Sequence, residues 1–134
     1  MGKARARPAP PGVTLDAGAL IALNRGNKRM IALLAEALKQ RRSFRIPAGV
    51  VGQAWRNGRT QVALARFLRA YEVEIVSLDE QLARSCGELC AATETFDVID
   101  ASVVILARER GDIIVTSDAD DLRRLDPTSS IFQI

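Results

Sequence analysis

Ile113-Ile114-Val115-Thr116-Ser117-Asp118 is the stretch on which the fold reading turns. Four consecutive β-branched residues suit a strand, and the run ends at a carboxylate. The same arrangement occurs near the start of the chain, where Val13-Thr14-Leu15 runs into Asp16. In an open α/β sheet, ligands bind beyond the carboxyl ends of the strands, so Asp16 and Asp118 both fall on that edge. Asp97 and Asp100 open an apolar segment that continues to Arg110, and a separation of three puts both on one face of its first helical turn. Asp97 reads equally well as the N-cap of that helix. If the four carboxylates converge, each close pair repels by roughly 3–4 kcal/mol at an effective dielectric of about 20. A cation between them would remove that cost, and hard oxygen ligands favour magnesium or manganese.

Outward from these two runs, strand and helix patterns alternate. A strand at Val13–Leu15 is followed by helices near Ala17–Asn24 and Lys28–Gln40 and by a short strand at Ser43–Ile46, which Pro47 breaks. Helices near Gly49–Arg56 and Thr60–Tyr71, separated by Asn57-Gly58, precede a strand at Val73–Ser77 and a helix from Asp79 to about Ala92. After the Asp97–Arg110 helix and the Ile113–Thr116 strand come a short helix at Asp120–Leu125 and a last strand at Ser130–Ile134. Strands separated by helices imply parallel pairing, so the predicted fold is a three-layer α/β sandwich around a mainly parallel sheet.

The 134 residues, 48% of them hydrophobic, suffice for one ordinary domain, read as residues 12–134. Residues 1–11 are basic and proline-rich and read as a disordered lead-in without the apolar core of a secretory signal. No stretch approaches the roughly 18–20 apolar residues needed to cross a bilayer, so the expectation is a cytoplasmic protein with no membrane association. Cys86 and Cys90, four apart inside a predicted helix, suit a reduced pair at least partly in the core rather than a zinc knuckle or a disulfide framework. The chain contains no histidine. That excludes Ser-His-Asp and Cys-His machinery, histidine bases and the usual catalytic zinc sites, leaving carboxylates, hydroxyls and a metal. Gly49-Val50-Val51-Gly52 has no following Lys-Ser or Lys-Thr, so neither a P-loop nor a dinucleotide fingerprint is present.

A net charge of +3 conceals an asymmetry. From Arg25 to Arg69 there are eleven Lys or Arg and one acid, Glu36, whereas from Ala70 onward there are fourteen acids and five Arg. One half of such a chain suits a polyanion and the other metal ions, although individual arginines also serve as the wet faces of amphipathic helices. Trp55, Arg56 and Arg59 are candidates to line the path of such a polyanion, with core packing an equal alternative for Trp55. Only 4% of residues are aromatic, so charge is expected to dominate over aromatic stacking in holding it.

Thr14-Leu15-Asp16-Ala17-Gly18-Ala19-Leu20, Val98-Ile99-Asp100-Ala101 and Val115-Thr116-Ser117-Asp118 together resemble the PIN-domain ribonucleases, most of all the VapC-type toxins of bacterial toxin–antitoxin pairs. The resemblance runs from Val13 to Ile134 with the motifs in order. It implies a PIN-like fold and a magnesium- or manganese-dependent endoribonuclease. In it Asp16, Asp100 and Asp118 match the metal-holding acids and Thr116 the hydroxyl beside the last of them. Asp97 and Asp121 are auxiliary candidates, with helix capping for Asp97 and a solvated first turn for Asp120 and Asp121 as the alternatives. The implied partners are an RNA substrate, a cognate antitoxin and a second copy in a homodimer.

One position departs from the family pattern. Where the family usually places a glutamate, on the helix after the second strand, this chain has Gln53. An amide oxygen can ligate or orient a metal-bound water but brings no charge, so metal affinity should fall. The alternative function is therefore a catalytically impaired RNA- or protein-binding module of the same fold. An aspartate-based phosphotransferase would want a lysine near a strand end, and Lys3, Lys28 and Lys39 do not supply one.

Overall fold

In the computed structural model, which describes residues 10–134, the two acid-terminated strands lie side by side at the centre of the sheet. The strands are β1 (Val13–Leu15), β2 (Phe44–Pro47), β3 (Val73–Val76), β4 (Ile113–Thr116) and β5 (Ile131–Gln133). Their order is β3-β2-β1-β4-β5 and every pairing is parallel. Leu15 stands opposite Val115, so Asp16 and Thr116 leave the same edge of the sheet at the same level.

The helices are α1 (Ala17–Asn24), α2 (Lys28–Lys39), α3 (Ala48–Ala54), α4 (Val62–Leu68), α5 (Glu80–Thr93), α6 (Val98–Arg110) and α7 (Ala119–Leu125). α6 lies across β1, β2 and β4 with α5 packed outside it, while α1, α3 and α4 form the opposite layer. α6 is buried along most of its length, Ala101 to Val104 and Leu106 to Ala107, as a helix on the middle of a parallel sheet must be. Leu15, Leu20, Phe44, Ile46, Val50, Leu64, Val103, Val104 and Ile114 share one core. Phe44 meets Phe67 edge-to-face at 5.3 Å. The expected three-layer α/β sandwich is what forms, with no antiparallel pair among the described strands.

Pro47 departs from expectation. It does not break the second strand but is its last residue, paired with Val76, and is at once the N-cap of α3. A missing N–H is tolerated at a strand end, and the fixed φ of −60° suits the turn into a helix. The fourth helix is shorter than predicted at both ends, and Gln61 stands before it as its cap residue. Its side-chain oxygen accepts from the Arg56 and Asn57 amides at 2.7 and 2.9 Å and its nitrogen donates to the Ala54 carbonyl at 2.9 Å, which ties down the α3–α4 loop.

Cys86 and Cys90 are buried and unbridged on α5, the reduced core pair that the spacing suggested. No described helix is long and apolar enough to cross a membrane. The predicted disordered lead-in lies outside the described residues except for Pro10 and Pro11, and the Pro11 carbonyl accepts a 2.6 Å hydrogen bond from Arg42.

Candidate metal centre

Three of the candidate acids, Asp16, Asp97 and Asp118, are N-caps of helices that begin at or beside the carboxyl edge of the sheet. Asp16 caps α1, its Oδ1 accepting from Ala19 N at 3.0 Å. Asp97 caps α6 through Asp100 N at 2.9 Å, and Asp118 caps α7 through Asp120 N at 3.2 Å. A side-chain oxygen at the N-cap satisfies an otherwise unpaired amide, and the positive end of each helix offsets part of the carboxylate charge. In each case the hydrogen bond occupies one carboxylate oxygen. Capping and ligation are therefore compatible for Asp97, between which the sequence left a choice.

Thr116, fully buried at the end of β4, connects two of these acids. Its hydroxyl donates to Asp16 Oδ2, and its oxygen accepts from the Asp118 amide at 3.0 Å. Gly18 completes the junction: a Cβ there would fall 2.1 Å from Ser117 Oγ, so the first turn of α1 packs closely on the loop between Thr116 and Asp118 and a larger residue would have to turn the Ser117 hydroxyl aside.

Asp100 sits one helical turn after Asp97 with no side-chain hydrogen bond among the described residues. Burial pushes its carboxyl up from 3.8 to about 6, and the charges of Asp97, Asp16, Asp121 and Asp118 add to that rise. Asp16 is also raised, by burial first, while its bonds from Thr116 and Ala19 oppose the rise. Five carboxylates thus share one field, in which carboxylates spread over the sequence are close enough to disfavour one another's charge.

The expected ligand set of Asp16, Asp97, Asp100 and Asp118 is not gathered tightly around one point in the metal-free chain. Among the described residues no three acidic side chains lie close enough to hold one ion together. Three of the four are tied to helix-start amides, and like charges favour separation. The donor set still fits magnesium or manganese, which take one or two carboxylates directly and keep several waters. An all-oxygen set without histidine, with its cysteines buried on α5, does not suit zinc.

Gln53 is exposed on α3, one turn after Gly49. A Cβ on Gly49 would come 2.2 Å from Ile99 Cδ1, so α3 and the first turn of α6 touch at the residue before Asp100. Position 53 therefore lies on the α3 face that turns toward the acidic helix. The other three candidates lie beyond the end of α3. Trp55 is exposed, its ring lying against Gly58, where a Cβ would fall 2.9 Å from it. The Arg56 guanidinium is bonded to the Gly52 and Trp55 carbonyls at 3.0 and 2.6 Å, closing the helix end. Arg59 is exposed.

Sequence reasoning missed the mouth of the site. Glu94, Thr95, Phe96, Asp97, Asp100, Asp121, Arg124 and Leu125 enclose a cavity of about 330 Å³. Asp121 belongs to it, whereas Asp120 lies at the exposed start of α7, 3.9 Å from Arg123. Phe96 and Arg124 had drawn no notice; an aromatic residue directly before an acid pair was the one available signal.

The PIN-domain family model matches residues 13–126. None of the curated proteins compared with the chain matches it in sequence. Among solved structures, VapBC2 from Rickettsia felis, bound to a promoter DNA fragment, aligns with a TM-score of 0.68 at 18% identity, covering 91% of this chain and 98% of that one. The Mycobacterium tuberculosis toxin VapC20, described as cleaving the sarcin–ricin loop, aligns at 0.64 and 17%, covering 81% and 92%. A toxin–antitoxin complex from Klebsiella pneumoniae aligns at 0.66 and 14%, covering 92% and 100%. At these identities the likeness shows the fold.

Proposed function

This chain belongs to the PIN-domain family, and on that premise we propose that it is a metal-dependent endoribonuclease that hydrolyses RNA phosphodiester bonds. The observation that carries the proposal is the Asp100 carboxyl, half-buried and raised to about 6 in the field of Asp97, Asp16, Asp121 and Asp118. An acidic cluster of this kind at a sheet edge favours a cation and has little other use. A bound magnesium or manganese ion would acidify water and neutralise phosphoryl charge, chemistry that needs no histidine.

The chain's own residues supply the frame. Asp16 is held by Thr116 and Ala19, so it presents a fixed carboxylate at the end of β1. Asp118 is placed by its amide on Thr116, and Asp97 by its cap on α6. Asp100, without a hydrogen bond of its own, is the acid freest to ligate. Gln53 contributes a neutral amide from α3 in place of a negative charge. Arg56, Arg59 and Trp55 are assigned to the outer RNA path, where Arg59 has the least structural duty.

The likeness to VapC structures and to toxin–antitoxin complexes supports a role as the toxin of such a pair, neutralised by a cognate antitoxin; a cytoplasmic homodimer completes the proposal. Gln53 supports a second reading, an impaired member that binds RNA or protein without cutting. The two separate when the purified, partner-free chain is incubated with a mixed RNA pool in manganese or magnesium and again with EDTA. Metal-dependent cutting supports the nuclease; a folded chain that binds the pool and leaves it intact overturns it in favour of the binding module.

A further inference from the structure

Phe96 is 95% exposed, yet its backbone is fixed on both sides. The Thr95 amide donates to the Cys90 carbonyl at 2.9 Å, the Thr93 and Thr95 hydroxyls lie 3.0 Å apart, and Asp97 bonds to Asp100 N. Glu94 turns the chain at φ 55°, a left-handed conformation that non-glycine residues seldom adopt. The loop is therefore an ordered bracket that carries one bare aromatic ring. The ring is left in solvent, so the fold gains almost nothing from it.

The ring stands at the mouth of the cavity that Asp97, Asp100, Asp121 and Arg124 line. Carboxylates dominate those walls, and Arg124 is the sole Lys or Arg among them, so an RNA phosphate without a cation would be repelled there. A nucleobase is neutral and flat. Stacking on an aromatic face is the interaction such a rim can offer it, and phenylalanine, without hydrogen-bonding groups, accepts any base.

We propose that Phe96 is a positioning residue for RNA, stacking on the base of a nucleotide beside the scissile phosphate and so placing that phosphate at Asp97 and Asp100. The proposal rests on the ribonuclease reading and deepens it: the substrate is single-stranded or unpaired at the cut, because a base stacked on Phe96 has left its helix. It also adds one base contact to a recognition mode that the basic first half would otherwise supply through phosphate charge.

The test is a cycle between protein and RNA. Single-stranded RNA cut by the wild type is synthesised with an abasic nucleotide at each position around the cut, and cleaved by wild type, Phe96→Ala, Phe96→Leu and Phe96→Tyr. Phe96→Ala should lower kcat/KM for intact RNA about tenfold, with Phe96→Tyr near wild type and Phe96→Leu not rescued. At one position the abasic substitution should slow the wild type similarly and slow Phe96→Ala no further. Equal cleavage by wild type and Phe96→Ala, full rescue by leucine, or the same abasic penalty in both proteins would overturn the stack. Unchanged cleavage with altered sedimentation of the Phe96→Ala protein would assign the ring to a protein interface instead. A wild type that cuts no RNA would bring down the ribonuclease reading, and the stack with it, before any variant is compared. At 95% exposure the ring's removal leaves the core untouched, so unchanged melting of Phe96→Ala is the accompanying control.

Discussion

The Thr116 hydroxyl joins the ends of the two central strands, donating to Asp16 Oδ2 while accepting from the Asp118 amide at 3.0 Å. β1 and β4 supply the two acids, and this one buried oxygen sets their relation. Thr116→Val keeps the shape and removes both bonds, leaving a carboxylate oxygen and an amide unpaired at a cost of about 1–3 kcal/mol. Cleavage should fall about tenfold or more, as when a ligand loses its orienting partner. Thr116→Ser should retain both properties. Denaturant unfolding and initial cleavage rates check this; a fully active valine variant would remove Thr116 from the site.

Asp100 gives a pH signature. Its folded value of about 6 lies above the ordinary 3.8, so between those values the folded chain holds a proton that the unfolded chain has lost. Stability contributed at this position is therefore present at low pH, declines as pH rises from about 4 to about 6, and stays lost above. Because the group is only half-buried, solvent screening reduces the effect, and Asp100→Asn should stabilise the metal-free protein at neutral pH by about 1 kcal/mol. The difference between the wild-type and variant melting curves should vanish near pH 4. A difference that does not change with pH would refute the assignment.

Gly49 and Ile99 should be coupled. A Cβ at position 49 meets Ile99 Cδ1 at 2.2 Å, so Gly49→Ala must turn that methyl into its packed surroundings or shift α3 from the start of α6. A loss of about 1–3 kcal/mol is expected from overpacking. Ile99→Val deletes the methyl in question, and the double variant should be more stable than the sum of the singles by about 1 kcal/mol. Strict additivity in urea unfolding would show that the two elements do not touch there.

Gln53→Glu should tighten manganese binding, since it adds a charge on the face of α3 that approaches Ile99 and Asp100. Isothermal titration of wild type and variant decides it, and equal affinities would mean that position 53 faces away from the ion.

The acids at Asp16 and Asp118 are legible in the sequence because a strand of β-branched residues announces its own end, and parallel topology then dictates which edge that end occupies. The spacing of Asp97 and Asp100 is legible for the same kind of reason, a helical period. What escaped depends on the path of loops. The Arg56 guanidinium closes α3 on backbone carbonyls, and Gln61 ties the following turn, bonds set by local geometry rather than by any periodic pattern. The exposure of Phe96 follows from a left-handed turn at Glu94, which nothing in that residue's identity announces. Nor does strand order say how closely carboxylates meet once three of them cap helices.

The most direct test of the acidic edge as a metal centre is electron paramagnetic resonance titration of manganese into the purified wild type and Asp100→Asn. The wild type should remove free Mn2+ from the spectrum with saturable, magnesium-competed binding, and the variant, though folded, should leave most of it free. A wild type that binds no manganese, or a variant that binds it equally well, would show that the acidic edge is not a metal centre.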